Sequence, residues 1–314
     1  MRPVLVVGAT GLLGSEICRD LRGSGHPVRG LMRPGAPRED FLQRLGVELV
    51  PGDLRNVRSL EAALRGVGAV VSSATGATRR LPGDSLRSVD REGQRALVDA
   101  ARRGGIRRFV YVSVSPHLPR STPLVGIKRE IETAVRGSGM AWVVVQPSPF
   151  MESWLTRRAG IDVATARAAL LGSGESPVTY VSVCDVAKVT ASVADPDSGV
   201  SRCHLPVGGP DALSPFDAVR IFEQESGRSF HVVHAPSSLA RGMGALLTPF
   251  DPVLASNLGI AAHLAEAGDV IASDRSVWEM LRRPVTVRDH VRSAARAALT
   301  ERVRVLLNGA GGRF

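Results

Sequence analysis

Short apolar runs alternate with amphipathic stretches along the first half of the chain. Val4–Val7, Val28–Met32, Val47–Val50, Ala69–Ser72, Arg107–Ser113 and Ala141–Gln146 read as strands. Between them, helices are expected over about 12–22, 39–45, around 60–64, 85–103 and 125–136. The longest of these carries Leu86, Val89, Leu97, Val98 and Ala101 at inward-facing intervals. The strand runs are continuous and rich in Val rather than alternating, which is what burial on both faces demands. Strand and helix in strict alternation predict an α/β fold with a doubly wound parallel sheet. After Phe150 the rhythm loosens. Val178–Val183 reads as a strand, Asp185–Val193 as a helix, and His204–Val207 and Phe230–Val233 as short strands on either side of a helix near 216–225. The stretch Pro236–Asp269, apolar with Pro and Gly breaks, suggests short helices over a pocket, and a last helix is expected over Val287–Val305.

Composition narrows the function classes. Hydrophobic residues make up 44% and charged residues 22%, close to globular averages. No run of about 18 apolar residues is present, so no membrane span is expected. The first residues lack the long apolar core of a signal peptide, and the expected compartment is the cytoplasm. The three cysteines, Cys18, Cys184 and Cys203, lie far apart and form no CxxC pair, which argues against a disulfide framework or a metal site. The net charge is +10, but basic pairs such as Arg102-Arg103 and Arg157-Arg158 are scattered and not interleaved with aromatics. That pattern speaks against a nucleic-acid surface and for solvated faces or small acidic ligands. Homo-oligomerisation is left open.

The chemistry begins at Gly8-Ala9-Thr10-Gly11-Leu12-Leu13-Gly14, which follows one strand and opens a helix. Gly8 permits the tight turn, Gly11 lets backbone approach a pyrophosphate at the helix N-terminus, and Gly14 allows close helix–strand packing. This is the phosphate-binding turn of a Rossmann dinucleotide site, spaced GxxGxxG. The second strand leads to Arg33, and no acid occurs between Asp20 and Glu39 to bind ribose hydroxyls. Arg33 stands where a guanidinium could clamp a 2′-phosphate, so the expected cofactor is NADPH rather than NADH. Asp53, in Gly52-Asp53-Leu54, is placed to accept from an adenine amino group, or to cap the helix that follows.

These residues, with Val89-Asp90 through Ala100-Ala101, Arg107–Ser113, Lys128 through Glu132, Gln146–Glu152 and Val181–Ala187, resemble the atypical short-chain dehydrogenase/reductases, in particular NmrA-like and isoflavone-reductase-like proteins. The resemblance covers about the first 190 residues. It implies a seven- or eight-stranded Rossmann sheet with a smaller carboxyl-terminal lobe that shapes the substrate pocket, divided here as residues 1–150 and 151–314. It also implies cofactor contacts at Gly8, Thr10, Gly11, Leu12, Leu13, Gly14, Arg33, Asp53, Leu54, Ser73, Ala74, Thr75, Ser113, Lys128 and Pro147. The family often has Arg where this chain has Gln146.

The superfamily's Tyr-x-x-x-Lys pair is incomplete. Four residues before Lys128 stands Leu124, which has no proton to give. Of the two tyrosines, Tyr111 falls in an expected buried strand and Tyr180 in the second half, within reach of the expected pocket. Lys128 is one of only two lysines among 40 basic residues. It is expected to orient the nicotinamide ribose and to supply a proton directly or through water. Ser115 lies near the family's catalytic hydroxyl position and is the second catalytic candidate. His117 is a further possible donor, while Glu130 and Glu132 are expected to be solvated or paired with neighbouring Arg. His231 and His234, three apart on a strand, suit a metal poorly. Three readings follow: a reductase of a small organic carbonyl, enone or imine, a non-catalytic NADPH-binding sensor, and a sugar-nucleotide epimerase, the last disfavoured by the missing tyrosine.

Overall fold

The computed structural model describes residues 1–78 and 82–294. The order is β1 (Val4–Val7), α1 (Leu12–Gly23), β2 (Val28–Met32), α2 (Glu39–Arg44), β3 (Glu48–Pro51), α3 (Val57–Leu64) and β4 (Ala69–Ser72). A π-helical segment (Leu86–Gly93) then runs into α4 (Gln94–Arg103), followed by β5 (Arg108–Val112), α5 (Pro123–Arg136), β6 (Ala141–Pro147), α6 (Met151–Trp154) and a 3-10 turn (Arg157–Ala159). The second half holds β7 (Ile161–Asp162), β8 (Arg167–Leu171), α7 (Val183–Ala194), β9 (Cys203–Val207), α8 (Pro215–Ser226), β10 (His231–Ala235), α9 (Ser237–Leu247), α10 (Pro252–Ala267) and α11 (Arg275–Leu281).

Seven strands form one sheet in the order β3-β2-β1-β4-β5-β6-β9, and every pair in it is parallel. The strand composition explains its depth. Val4 and Val6 face a core built with Ile17, Cys18 and Leu21 of α1, Leu42 of α2 and the α7 face from Val186 to Ala194. Leu5 and Val7, one residue out of phase, face a second core with Leu60 of α3, Leu97 of α4 and Ile131 and Val135 of α5. Side chains alternate across a strand, so two apolar faces require an unbroken apolar run. The chain leaves β3 at one edge and re-enters at β4, beside β1. The order therefore reverses between β1 and β4, the place where open α/β sheets bind ligands at the carboxyl ends of their strands.

The region after Phe150 both completes this sheet through β9 and builds a smaller lobe. There β10-β8-β7 form a three-stranded sheet over a third core that includes Tyr180, Phe222, Phe230, Ile260 and Leu264. Two expectations differ from what is observed. Val178–Val183 is not a strand: Val178 and Val181 make single bridges, to Leu213, Asp269 and Phe150, and α7 already begins at Val183. The apolar stretch 236–269 forms not short helices but a two-helix hairpin, α9 and the 16-residue α10. Gly244 packs where a Cβ would lie 3.2 Å from Ala255 O of α10, which holds the two helices close. Most of the helix expected over Val287–Val305 lies outside the described residues. Among those residues no helix is long and apolar enough to cross a membrane, and no cluster of potential metal ligands occurs.

Candidate active site: a dinucleotide crevice and a buried lysine

Because the sheet is parallel, the carboxyl ends of β1 to β6 all open on one edge. Nearly every sequence-predicted site residue follows a strand there. The Gly8–Gly14 turn leaves β1, Arg33 leaves β2, Asp53 and Leu54 leave β3, Ser73, Ala74 and Thr75 leave β4, Ser113 and Ser115 leave β5, and Pro147 ends β6. Lys128 reaches the same edge from the second turn of α5.

The glycine turn fits a pyrophosphate. Gly8 has φ +91°, and a Cβ on it would sit 2.8 Å from Ala74 N. On Gly14 a Cβ would meet the Gly8 carbonyl, so that glycine is required by packing of α1 on the turn. Gly11 serves as N-cap of α1 without a side-chain cap, and α1 has no acid in its first turn. Exposed Leu12 and half-buried Leu13 leave this N-terminus open to solvent. Uncapped N–H groups and the positive end of a helix dipole suit an anion.

The carboxyl ends of β2 and β3 are rich in guanidinium groups. Arg33 is 31% exposed and its Nη1 donates to both oxygens of Asp84 at 2.9 Å, while Asp84 itself is 1% exposed. Arg55 lies 3.3 Å from the same carboxylate. Arg38, which the sequence reading passed over, takes a left-handed conformation (φ 62°) and donates to Thr10 O at 3.3 Å, across the phosphate turn. Asp53 does not cap the following helix, contrary to one of its two expected roles. Asn56 does so, accepting from Ser59 N. Asp53 is instead gripped by Arg55, at 2.7 to 3.2 Å. Burial pushes the Asp53 carboxyl up, but Arg55's bonds and charge, with Arg33 beside them, hold it below its ordinary value. Leu54 is buried and packs in the α3/α4 core.

Around β4 the wall is fixed by a residue that sequence reasoning missed. Gln94 is fully buried; Ser72 Oγ donates to its Oε1 at 2.8 Å and its Nε2 donates to Ala74 O at 2.8 Å. Ser73 N donates to Val7 O at 3.0 Å, and Thr75 Oγ1 accepts from Ala77 N at 3.1 Å. Asp90, from the π-helical segment, is also fully buried. Its Oδ2 accepts from Gly76 N at 2.9 Å, and its Oδ1 has no hydrogen-bond partner among the described residues.

Lys128 is buried, donates to Val112 O at 3.1 Å and lies 5.0 Å above the Tyr111 ring. Burial lowers its pKa from the ordinary value, against the opposing pull of Asp90 and then Glu132. The same burial raises the Tyr111 hydroxyl, which has no partner among the described residues and is sealed in the sheet. Tyr180 is buried in the lobe core and its pKa is likewise raised by burial, so neither tyrosine replaces the missing one. Leu124 sits in an apolar cluster with Leu86, Ile127 and Val253.

Beneath the loop after β5 lies a buried ion pair. Glu132 is buried and paired to Arg129 at 2.5 Å, not solvated; Glu130 is exposed and paired to Arg91 at 2.8 Å. Glu132 Oε1 also accepts from Ser113 Oγ at 2.5 Å and from Gln146 Nε2 at 3.2 Å. Gln146 thus supplies a neutral donor to this carboxylate. Arg129 donates to the carbonyls of Val114 (3.3 Å) and Ser115, clamping the loop that carries Ser115 and His117. Ser115 Oγ donates to Asp269 Oδ1 at 2.7 Å, a partner 154 residues away that the sequence did not suggest.

A parallel sheet with a glycine turn at its switch point, and a buried lysine on the same edge, define a Rossmann dinucleotide-binding protein. Residues 2–267 match the NmrA-like family, and the chain belongs to it. Among curated relatives, the chain is 28% identical over 276 residues to photosystem II assembly factor Ycf39 of Synechocystis sp., covering 83% of each chain. It is 32% identical over 231 residues to the NAD(P)H azoreductase of Xenophilus azovorans (73% and 76% covered). To the (4-alkanoyl-5-oxo-2,5-dihydrofuran-3-yl)methyl phosphate reductase of Streptomyces griseus it is 30% identical over 283 residues (90% and 93% covered). The fold is shared with AtPrR2, solved with NADP+ and (+)pinoresinol, at a TM-score of 0.75 and 22% identity over 93% of this chain and 98% of that one. Relatives of this chain thus include both reductases and assembly factors.

Proposed function

We propose that this chain is an NADPH-dependent reductase of a small organic carbonyl, enone or imine. The observation that carries the reading is the buried Lys128 ammonium, on the same sheet edge as the open N-terminus of α1. A dinucleotide lying across the switch point has its pyrophosphate at Gly8–Gly14, its adenosine toward Arg33, Arg38 and Asp53, and its nicotinamide end toward Lys128. A buried lysine is costly to keep, and an ammonium with donors to spare beside the strand end suits ribose hydroxyls. The arginines favour the 2′-phosphate of NADPH. When bound, NADPH supplies a hydride. The protein's part is to hold the ribose through Lys128, to fix the β5 loop through Arg129 and Glu132, and to present the substrate from the lobe after Phe150. Reductases among the relatives support the chemistry.

A second reading, a non-catalytic NADPH-binding regulator, draws on Leu124 in the place of the proton-donating tyrosine and on relatives named as assembly factors. One experiment separates the two. NADPH and NADH binding is measured by calorimetry, and NADPH oxidation is then followed with quinones, aromatic aldehydes and azo dyes. Turnover supports the reductase. Tight stoichiometric NADPH binding with no turnover across the panel supports the regulator, and no binding of either dinucleotide refutes both.

A further inference from the structure

Leu124 stands where the superfamily has its proton-donating tyrosine, and the loop after β5 offers another donor. His117 Nδ1 lies 2.9 Å from Asp269 Oδ1, the same oxygen that accepts from Ser115 Oγ at 2.7 Å. The Asp269 side chain is 0% exposed and the His117 side chain 49% exposed. Asp269 Oδ2 has no hydrogen-bond partner among the described residues. The carboxylate is held from both sides of its own backbone. Asp269 N donates to Pro177 O at 2.9 Å, and Thr179 N donates to Asp269 O at 3.0 Å. It follows Gly268, whose φ of +69° ends α10 and where a Cβ would strike the Pro177 backbone. A buried, under-satisfied carboxylate is expensive. Here it is fixed by the lobe and pointed at one half-exposed imidazole on the loop after β5.

We infer that His117 is the catalytic proton donor of the reductase proposed above, and that Asp269, steadied by Ser115, is its positioning residue. The inference rests on that proposed activity. The carboxylate accepts from Ser115 Oγ and from Nδ1–H, which leaves His117 Nε2 to face outward. Ser115 gives its hydrogen to the carboxylate and not to the imidazole, so the three groups are not the nucleophile–base chain of a hydrolase. Ser115 thereby moves from catalytic candidate to a support for the dyad. For a carbonyl substrate the step balances. The substrate carbon gains a C–H bond with the hydride and the C=O π pair moves onto oxygen. That oxygen takes the proton from His117 Nε2, whose N–H bond breaks. NADPH is oxidised to NADP+, the carbonyl is reduced to an alcohol, and the half-exposed imidazole regains its proton from water. Lys128, buried beneath Val112 O, has no comparable access to water and is left to hold the cofactor.

The test uses the full-length protein and the variants His117→Gln, His117→Gly and Asp269→Asn. Single-turnover oxidation of saturating NADPH is followed with 9,10-phenanthrenequinone, 4-nitrobenzaldehyde and methyl red. Expected for His117→Gln is a rate about 100-fold lower, with NADPH affinity within about threefold of wild type. His117→Gly should be equally slow and should recover at least tenfold on addition of imidazole. Asp269→Asn should lose about tenfold in rate at unchanged NADPH affinity. A second readout needs no turnover. In protein labelled with 15N-histidine, His117 should show a hydrogen-bonded, slowly exchanging Nδ1–H resonance that Asp269→Asn abolishes. A His117→Gln rate within threefold of wild type, or a wild-type spectrum without that resonance, overturns the inference alone. Failure of the wild type to oxidise NADPH with any of the three substrates overturns the reductase reading and the proton-donor role with it.

Discussion

Lys128→Met keeps the length and most of the volume of the side chain and removes its charge. That charge has one carbonyl partner at 3.1 Å and an aromatic face at 5.0 Å. Burial outweighs the attraction of Asp90 and Glu132, so the folded-state pKa lies below 10.5. The unfolded chain therefore holds this proton more tightly. Stability rises with pH between the lowered value and 10.5, and below that window the full cost of the buried charge is present. An apolar isostere should accordingly be neutral or stabilising, by up to about 1 kcal/mol, or about 2 °C in Tm for a chain of this size. The same substitution should weaken NADPH binding by about 10- to 100-fold, the worth of charge-assisted hydrogen bonds to ribose hydroxyls. At saturating NADPH, single-turnover reduction should change by less than about threefold, since the proton comes from His117. Thermal unfolding at pH 7 and pH 10 reads the first effect: the alkaline gain expected of wild type should be lost in the variant. Calorimetry with NADPH reads the second. A variant destabilised by more than about 1 kcal/mol that binds NADPH normally would refute the reasoning and make Lys128 a structural residue.

Arg33→Ala should cost NADPH about tenfold in affinity and leave NADH unchanged. That is the low end for a charged hydrogen bond, because Arg33 is partly exposed and already engaged by Asp84; equal losses for both cofactors would mean that the loop, not the 2′-phosphate contact, was disturbed. Gly11→Val has an ordinary φ of −73° and its Cβ would lie 3.1 Å from Gly8 O, so the variant should fold yet lose dinucleotide binding. Unchanged NADPH affinity in a folded Gly11→Val protein would count against the phosphate turn. Gly14→Ala, whose Cβ would collide with the Gly8 backbone, should instead lower Tm markedly in the absence of any ligand. Arg129→Met removes the guanidinium paired directly to buried Glu132 and should cost about 3 kcal/mol on chemical denaturation, against less than about 1 kcal/mol for Glu130→Gln, whose ion pair is exposed.

The sequence by itself determined the sheet of the first half. A buried parallel strand must be apolar on both faces, and four to seven such residues in a row leave little else to form. It also marked the glycine turn after β1, where Gly8 and Gly14 occupy positions at which any side chain meets backbone. Lys128 stood out through its rarity in an arginine-rich chain. What the sequence did not carry is every pairing between distant residues. Asp269 reaches Ser115 and His117 only because α10 ends at Gly268 and the 177–179 segment pins the next residue. Its one local signal was a glycine closing an apolar helix. Asp84 claims Arg33 across 51 positions, and Gln94 braces the β4 edge from an unremarkable helix position. Local pattern registers which way one segment faces water and is silent on which segments meet. Tertiary packing decided that Glu132 is buried while Glu130 is exposed, that Tyr180 is locked in the lobe core, and that residues 178–183 join as single bridges rather than a strand. In each case the deciding quantity was a contact with a chain segment far away in sequence.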